Sequence, residues 1–275
     1  MFSLLTAKRL SLTTRWSNTP YEKGAMEKCR EIINKWGPDF PLKDLTAQMV
    51  INWRLELLSR GNKPSTVNKK VAAIRALLTD AHECGYLSNI QPMPRDLPVK
   101  NTERRAATDD EIKGICQYMA EKDEQAKDLF LFLLETATRW GEVHKLRRQD
   151  IDLEKKRVTF WETKNGEPRS IPLTKAAIKA VSPYLDILGP ETFVWSIKYH
   201  TFRRLLNGAK KSMGINDPRL TLHSSRHTCA SKLGASGIPE RKLMKFGGWK
   251  SYSSVKRYIH LNTEALSDCV EALEG

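Results

Sequence analysis

Residues 222–260 read LHSSRHTCASKLGASGIPERKLMKFGGWKSYSSVKRYIH and carry four chemically specialised side chains within one predicted helical segment. His223 and Arg226 are three residues apart, so on a helix they share a face and could hold one anion together. A Gly-Gly pair then predicts the end of a helix and lets the indole N–H of Trp249 approach another group closely. Tyr258 follows nine residues later. The segment therefore predicts an anion-binding site with a phenol close by in sequence.

The order of these groups, HSSRH, then GGW, then RY, resembles the C-terminal signature of the tyrosine recombinases, the phage-integrase family of site-specific DNA recombinases. In that family the histidine and arginine of H-x-x-R bind the scissile phosphate, and a histidine or tryptophan adds a hydrogen bond. The family's tyrosine attacks phosphorus. The resemblance implies these catalytic roles for His223, Arg226 and Trp249, with Tyr258 as the nucleophile. Surrounding cations favour the phenolate of Tyr258, and His223 is its expected proton acceptor.

A second part of the family pattern lies upstream, after an apolar run. Residues 128–136 contain six consecutive apolar residues, which is typical of a helix inside a core. The sequence TATRWGE that follows resembles the family motif T-G-x-R-x-x-E, with Ala137 where glycine is usual. The resemblance implies that Arg139 is the first catalytic arginine and that its acidic neighbour Glu142 holds the site in shape.

Residues 157–173 predict a β-hairpin, because two strand-like segments flank Asn165-Gly166, a dipeptide typical of tight hairpin turns. Lys164 precedes this turn, where a flexible tip could carry its ammonium into a neighbouring site. An isolated lysine at such a tip is usually a surface residue without a catalytic role. The resemblance implies more for Lys164, because the family carries its catalytic lysine on such a hairpin in a K-x-G context. There it would protonate the departing 5′ oxygen.

Helix signals occur on both sides of a proline-rich stretch. The expected helices are Ala25–Trp36, Ala47–Arg60 capped by Thr46, a longer helix capped by Ser65, one from the Thr108 capping box to about Met119, Lys175–Leu188 and Tyr199–Met213. Residues 89–106 contain three prolines and predict a linker. The predicted fold class is mainly α with a small β-sheet, with a helical domain over residues 1–88 and a mixed α+β domain over residues 107–260.

The resemblance implies that residues 1–88 form a core-binding domain, which clamps DNA on the face opposite the catalytic domain. A helical dimerisation module with a solvated basic face fits the composition equally well. Residues 261–275 carry a short apolar stripe, which in the family docks on a neighbouring protomer. Packing of this tail on its own domain is the alternative. The chain leaves little room for the arm-binding domain of larger integrases, so either it is of the simple type or the true start lies upstream.

The charge balance favours a polyanionic partner. The 275 residues include 46 Lys+Arg against 32 Asp+Glu, a net charge of +14. The affinity for such a partner should fall steeply with salt. Candidate DNA contacts are Lys69, Lys70, Arg203 and Arg204, although these charges could equally form a solvated face.

Several patterns argue against disulfides, membrane spans and bound cofactors. Five scattered cysteines without a C-x-x-C pair predict reduced thiols. No signal peptide or membrane-spanning run is evident, so we expect a soluble protein of the bacterial cytoplasm or nucleoid. No G-x-x-x-x-G-K-[ST] loop, H-E-x-x-H motif or carboxylate cluster occurs, so neither a metal nor another cofactor is expected.

These features together predict a site-specific recombinase that cleaves and rejoins DNA strands through a 3′-phosphotyrosyl intermediate, as a phage or mobile-element integrase. The resemblance implies a homotetramer on two DNA duplexes joined in a Holliday junction, and an accessory DNA-bending protein is a further candidate partner. A chromosome-dimer-resolving recombinase has the same chemistry and is one alternative. A non-catalytic DNA-binding regulator is another, because residues 236–258 could form a helix-turn-helix.

Overall fold

Helices make up most of the computed structural model, which describes residues 2–99, 105–161, 163 and 166–259. One small antiparallel sheet accompanies them, so the predicted fold class, mainly α with a small β-sheet, is confirmed. The chain divides into an N-terminal unit, Met1–Asn101, and a C-terminal unit, Thr102–Gly275. Three sequence predictions lie outside the described residues: the roles of Lys164, of the turn residue Asn165 and of the tail 261–275.

Across its described residues, 2–99, the N-terminal unit contains four α-helices, which are α1 (Leu4–Ser11), α2 (Glu22–Trp36), α3 (Ala47–Ser59) and α4 (Pro64–Glu83). Thr46 caps α3 as predicted, since its side chain accepts a hydrogen bond from the Met49 amide. The cap predicted for α4 is wrong. Pro64 opens that helix, because its fixed φ suits the first helical position, and no side chain caps it.

The core of the N-terminal unit follows the predicted helical stripes. Val67, Val71, Ile74 and Leu78 of α4 are all buried, at the spacing that places them on one helix face. Helix α1 was not predicted, although Leu4 and Ala7 are fully buried against the same core.

The C-terminal unit contains seven α-helices and three strands among the residues that the structure describes. The helices are α5 (Asp109–Lys122), α6 (Glu124–Thr136), α7 (Trp140–Val143), α8 (Lys175–Leu185), α9 (Tyr199–Ser212), α10 (Ser224–Ala235) and α11 (Glu240–Gly247). The Thr108–Glu111 capping box that opens α5 is present as predicted. Helix α8 ends three residues before the predicted Leu188.

Helix α6 lies at the centre of this unit. It packs against α5, α8 and α10, and its buried Phe132 meets the Trp195 ring at a centroid distance of 5.6 Å. A helix surrounded in this way needs apolar side chains on several sides, which explains its unbroken apolar run. This packing therefore holds the C-terminal end of α6 in place.

The sheet runs β1 (Ile151–Asp152), β2 (Arg157–Phe160) and β3 (Arg169–Pro172), in that order and antiparallel throughout. The predicted hairpin is confirmed by the pairing of β2 with β3. In this register Val158 faces Ile171, and both are buried. Phe160 faces Arg169 at the other end of the pair.

Within the described ranges, none of the helices combines the length and the apolarity that a membrane crossing requires.

Candidate active site

The first predicted arginine follows the end of α6. Ala137 ends that helix in the left-handed conformation, with φ of 50°, which costs a residue with a Cβ about 1 kcal/mol and explains why glycine is usual there. Arg139 then caps α7, and its Nη1 donates to Glu142 Oε1 at 2.7 Å. Oε2 of the same carboxylate accepts the Arg139 amide at 3.2 Å. Glu142 is buried, so it holds the Arg139 guanidinium from inside the protein.

The second predicted arginine, Arg226, lies in the first turn of α10 and is only 2% exposed. Its Nη1 donates to the carbonyl oxygen of Ala137, and its guanidinium carbon lies 3.8 Å from the ring centroid of Trp249. Nη2 is buried and has no hydrogen-bond acceptor among the described residues. A buried guanidinium with an unused donor is costly unless an anion completes its hydrogen bonding.

The electrostatics show that the two predicted arginines share one region. Burial, together with the neighbouring charges of Arg139 and Arg169, lowers the pKa of Arg226 to about 9. Glu142 and Tyr258 act in the opposite direction. A guanidinium still carries its charge at neutral pH, so excess positive charge is concentrated here. Such a site favours a multiply coordinated anion.

The end of α11 brings Trp249 into this region. Gly248 adopts the left-handed conformation, with φ of 67°, so the chain reverses direction directly after the helix. Its carbonyl oxygen accepts a hydrogen bond from Arg139 Nη2 at 3.1 Å. The sequence predicted that Trp249 donates its indole N–H to the site. The structure adds that the face of its ring covers Arg226.

Tyr258 is 5% exposed and lies on a short 3₁₀ turn, Lys256–Tyr258, packed on α10. Its ring centroid is 6.0 Å from that of Trp249. Its hydroxyl forms a short hydrogen bond with Nδ1 of His227, a residue that the sequence analysis did not single out. Tyr258 therefore contacts His227, the second histidine of HSSRH. The sequence analysis expected the first, His223, as the proton acceptor.

His223 stands at the start of α10, one turn before His227. The ring centroids of His223 and His227 are 5.4 Å apart. His223 also lines a cavity of about 540 Å³, together with Trp140 and the exposed Arg203 of α9. The structure therefore gathers His223, Arg226, Trp249 and Tyr258 along one side of α10.

A second residue outside the prediction is Arg169 of β3. Its Nη2 donates to Glu142 Oε2 at 3.0 Å, and its Nη1 donates to the carbonyl oxygen of Gly247 at 3.0 Å. Its guanidinium carbon lies 4.8 Å from the ring centroid of Phe160. Burial lowers the pKa of Arg169 from its usual value. Strand alternation was the available signal, because Arg169 shares a strand face with the buried Ile171.

The candidate DNA contacts divide into exposed and buried residues. Lys69, Arg203 and Arg204 are exposed. Lys70 is only 8% exposed, and its Nζ pairs with Glu31 at 2.5 Å. The charge of Lys70 is therefore already paired within the N-terminal unit, and the DNA contact predicted for it stays a prediction.

The helix-turn-helix alternative for residues 236–258 does not match the observed elements. This range contains α11, and two 3₁₀ turns, Tyr252–Ser254 and Lys256–Tyr258, follow it. A recognition helix is required by that motif, and neither turn supplies one. Among the residues that the structure describes, no group of three His, Cys, Asp or Glu side chains is arranged to hold a metal ion.

Comparisons with known proteins show which proteins this chain is similar to. The family model of the phage integrases matches residues 105–265. The integrase of Escherichia phage P2 is 25% identical over 243 residues, which cover 87% of this chain and 68% of that protein. The tyrosine recombinase XerA of Saccharolobus solfataricus is 28% identical and covers 81% of this chain and 78% of its own length.

Solved structures share the fold. The Tn1549 transposon integrase, in complex with a circular intermediate DNA, has a TM-score of 0.78 at 14% identity, covering 98% of this chain and 99% of that one. The lambda integrase tetramer bound to a Holliday junction has a TM-score of 0.77 at 20% identity, covering 94% and 76%. Because the family match spans more than half of the sequence, this chain belongs to the phage integrase family of tyrosine recombinases.

Proposed function

We propose that this tyrosine recombinase cleaves and rejoins DNA at specific sites through Tyr258, as the integrase of a phage or mobile element. One observation carries the proposal. Arg226 is a buried cation with an unpartnered Nη2 among the described residues, and it lies beside Arg139, Trp249 and Tyr258. A DNA phosphodiester supplies the oxygen acceptors that such a donor requires.

The arginines would stabilise the transition state. As phosphorus passes through in-line displacement, negative charge accumulates on its non-bridging oxygens. Arg139 and Arg226 would bind these oxygens, because planar guanidinium groups can each donate to two oxygens at once. His223 would add a donor from the side, and Trp249 would support Arg226, which its ring face covers. Glu142 would keep Arg139 oriented, as its two contacts to that residue support.

The covalent step exchanges one phosphoester for another. Tyr258 Oη attacks phosphorus while its proton passes to His227, which it contacts. The bond from phosphorus to the 5′ oxygen breaks, and Lys164 protonates that oxygen. The products are a 3′-phosphotyrosyl ester and a free 5′-hydroxyl. Since the new ester is close in energy to the bond it replaces, rejoining by another 5′-hydroxyl needs no ATP.

The proposed partner is double-stranded DNA at an attachment or recombination site. The N-terminal unit would act as the core-binding domain that clamps the duplex, with Lys69 among its contacts. Arg203 and Arg204 would contact the phosphate backbone from α9. The lambda integrase tetramer bound to a Holliday junction supports a tetramer on two duplexes. In such a tetramer the tail 261–275 would dock on a neighbouring protomer. An accessory DNA-bending protein and a location in the bacterial cytoplasm or nucleoid complete the proposal.

Resolution of chromosome dimers is the second candidate, because tyrosine recombinases that are not named integrases also stand among the relatives. The two functions share every catalytic step proposed here. They differ in the sequence of the DNA that becomes covalently attached to Tyr258. An integrase would be trapped on sequences at the ends of a mobile element, whereas a dimer-resolving enzyme would be trapped at one site on the host chromosome.

Trapping the covalent intermediate tests the proposed chemistry. The protein is incubated with fragmented DNA from a host that carries its gene, in chelator, and adducts that survive denaturant are isolated and their DNA sequenced. We expect adducts with wild type and with Tyr252→Phe, whose ring is exposed, but none with Tyr258→Phe. A strict requirement for magnesium, or an adduct with Tyr258→Phe, would contradict the mechanism.

A further inference from the structure

Arg169 connects two parts of the proposed catalytic site, the region of Arg139 and the end of α11. It lies on β3, its side chain is only 9% exposed, and it contacts both the Arg139 region and the end of α11. We infer that Arg169 is a positioning residue, which fixes the separation between the guanidinium groups of Arg139 and Arg226. The inference rests on the proposed function, because it concerns how the same site is held.

The first link runs through Glu142, whose carboxylate is shared. Its Oε1 accepts from Arg139 at 2.7 Å and its Oε2 accepts from Arg169 at 3.0 Å. A carboxylate held by one arginine alone can rotate about its terminal bond. With both oxygens engaged, Glu142 presents a fixed acceptor to Arg139, so its guanidinium is held in one orientation.

The second link runs through the backbone at the end of α11. Arg169 Nη1 donates to the Gly247 carbonyl at 3.0 Å, and Arg139 Nη2 donates to the next carbonyl, that of Gly248, at 3.1 Å. The approach is close, since a Cβ on Gly248 would lie 2.9 Å from Arg169 Nη1. Two arginines joined by one carboxylate therefore bind two successive carbonyl groups.

Trp249 follows these two carbonyls directly and lies over Arg226 at 3.8 Å. Gly247 is also packed against the indole, because a Cβ on Gly247 would meet the ring at 1.8 Å. A shift of Gly247 would therefore also move the indole, and the indole covers Arg226. Contacts lead from Arg169 to Arg139 on one side and to Arg226 on the other.

Lysine cannot reproduce this arrangement. Arg169 donates from two different nitrogens, Nη2 to the carboxylate and Nη1 to the backbone carbonyl. An ammonium is a single point donor on a flexible stem, so it would keep the charge but not span both acceptors. The shape of the guanidinium, rather than its charge, is therefore what positions the site.

A double-mutant cycle between Arg169 and Glu142 tests the inference. The rate of adduct formation is measured in a single turnover at saturating DNA, together with the DNA dissociation constant, for Arg169→Gln, Glu142→Gln and the double variant. We expect each single change to slow the reaction by about 10- to 100-fold, the range for a misplaced catalytic group, with little change in the dissociation constant. The double variant should be no slower than the slower single variant.

Two control variants distinguish a positioning role from a loss of charge or a loss of folding. Arg157→Gln removes the same charge from an exposed position on β2 and should leave the rate within about threefold of wild type. Arg169→Lys should remain slow by at least about tenfold, and it replaces Arg169→Gln in the cycle if the glutamine variant does not fold. If wild type forms no adduct, the proposed function fails rather than this inference.

Two results would overturn the inference itself. One is an Arg169 variant as fast as wild type. The other is a double variant whose loss is the product of the single losses, or too large to detect, since independent structural damage multiplies in this way.

Discussion

Substitution of Trp249 is the most informative test, because the sequence and the structure assign different roles to its side chain. The sequence predicts an indole N–H donor, whereas the structure places the ring face 3.8 Å from the Arg226 guanidinium carbon. Phenylalanine keeps a ring face and loses the N–H. Alanine loses both. A histidine keeps an N–H donor on a smaller ring.

The structure sets the expected size of each effect. A cation–π contact that is shielded from water contributes about 2 kcal/mol. Since about 1.4 kcal/mol corresponds to a tenfold change in rate, loss of the ring face in Trp249→Ala should slow adduct formation by about 30-fold. Trp249→Phe should slow it by about threefold, because a phenyl face still covers Arg226.

The assay is single-turnover formation of the denaturant-resistant adduct on a nicked duplex that prevents religation. DNA affinity is measured in parallel at the same salt concentration and should change less than threefold in all variants. Trp161→Ala serves as the control, because that tryptophan is 61% exposed. The reasoning is refuted if Trp249→Phe is as slow as Trp249→Ala while Trp249→His is fast. That order would make the N–H donor, and not the ring face, the important group.

Three further predictions concern the leaving group, the DNA contacts and the placement of the nucleophile. Lys164→Ala should react slowly on ordinary DNA and recover when the bridging 5′ oxygen is replaced by sulfur, because a thiolate leaves without protonation; absence of recovery would remove its role as the acid. Arg203→Ala should lower the slope of log affinity against log salt by about one, measured by titration, and an unchanged slope would show that no phosphate is contacted. A Cβ on Gly234 would lie 1.8 Å from the Tyr258 carbonyl oxygen, so Gly234→Ala should slow adduct formation by up to about 100-fold. Gly189→Ala, whose nearest contact would be at 3.6 Å, should react like wild type, and equal rates for both variants would contradict the close approach.

Features with a local cause could be predicted from the sequence. The Thr108–Glu111 capping box needs only residues three apart, and it opens α5 as expected. The pairing of β2 with β3 follows from strand-like segments on either side of an Asn-Gly dipeptide in the sequence. The stripe of apolar residues on α4 is buried at the predicted spacing.

Features that depend on distant partners could not be predicted in the same way. Lys70 and Lys69 are adjacent, and only the approach of Glu31 from α2 gives the buried Lys70 an ion-pair partner. His227 is visible in HSSRH, but its partner Tyr258 is 31 residues further along the chain. No local pattern carries that pairing.

The orientation of Trp249 and the role of Arg169 are of this kind as well. Motif spacing shows that an indole reaches the site, but not whether its edge or its face meets Arg226. In the structure the face of the ring meets Arg226, and the ring also packs closely against Gly247. Arg169 is one of 46 basic residues, and its contacts with Glu142 and Gly247 arise only when β3 packs beside the end of α11.

The most direct measurement of the central claim is to locate the covalent bond between protein and DNA. The trapped adduct is digested with protease and nuclease, and the modified peptide is sequenced by mass spectrometry. We predict a nucleotide attached through its 3′ phosphate to the oxygen of Tyr258, with a free 5′-hydroxyl on the other DNA end. Attachment at Tyr252 or another residue, or through a 5′ phosphate, would contradict the proposed mechanism.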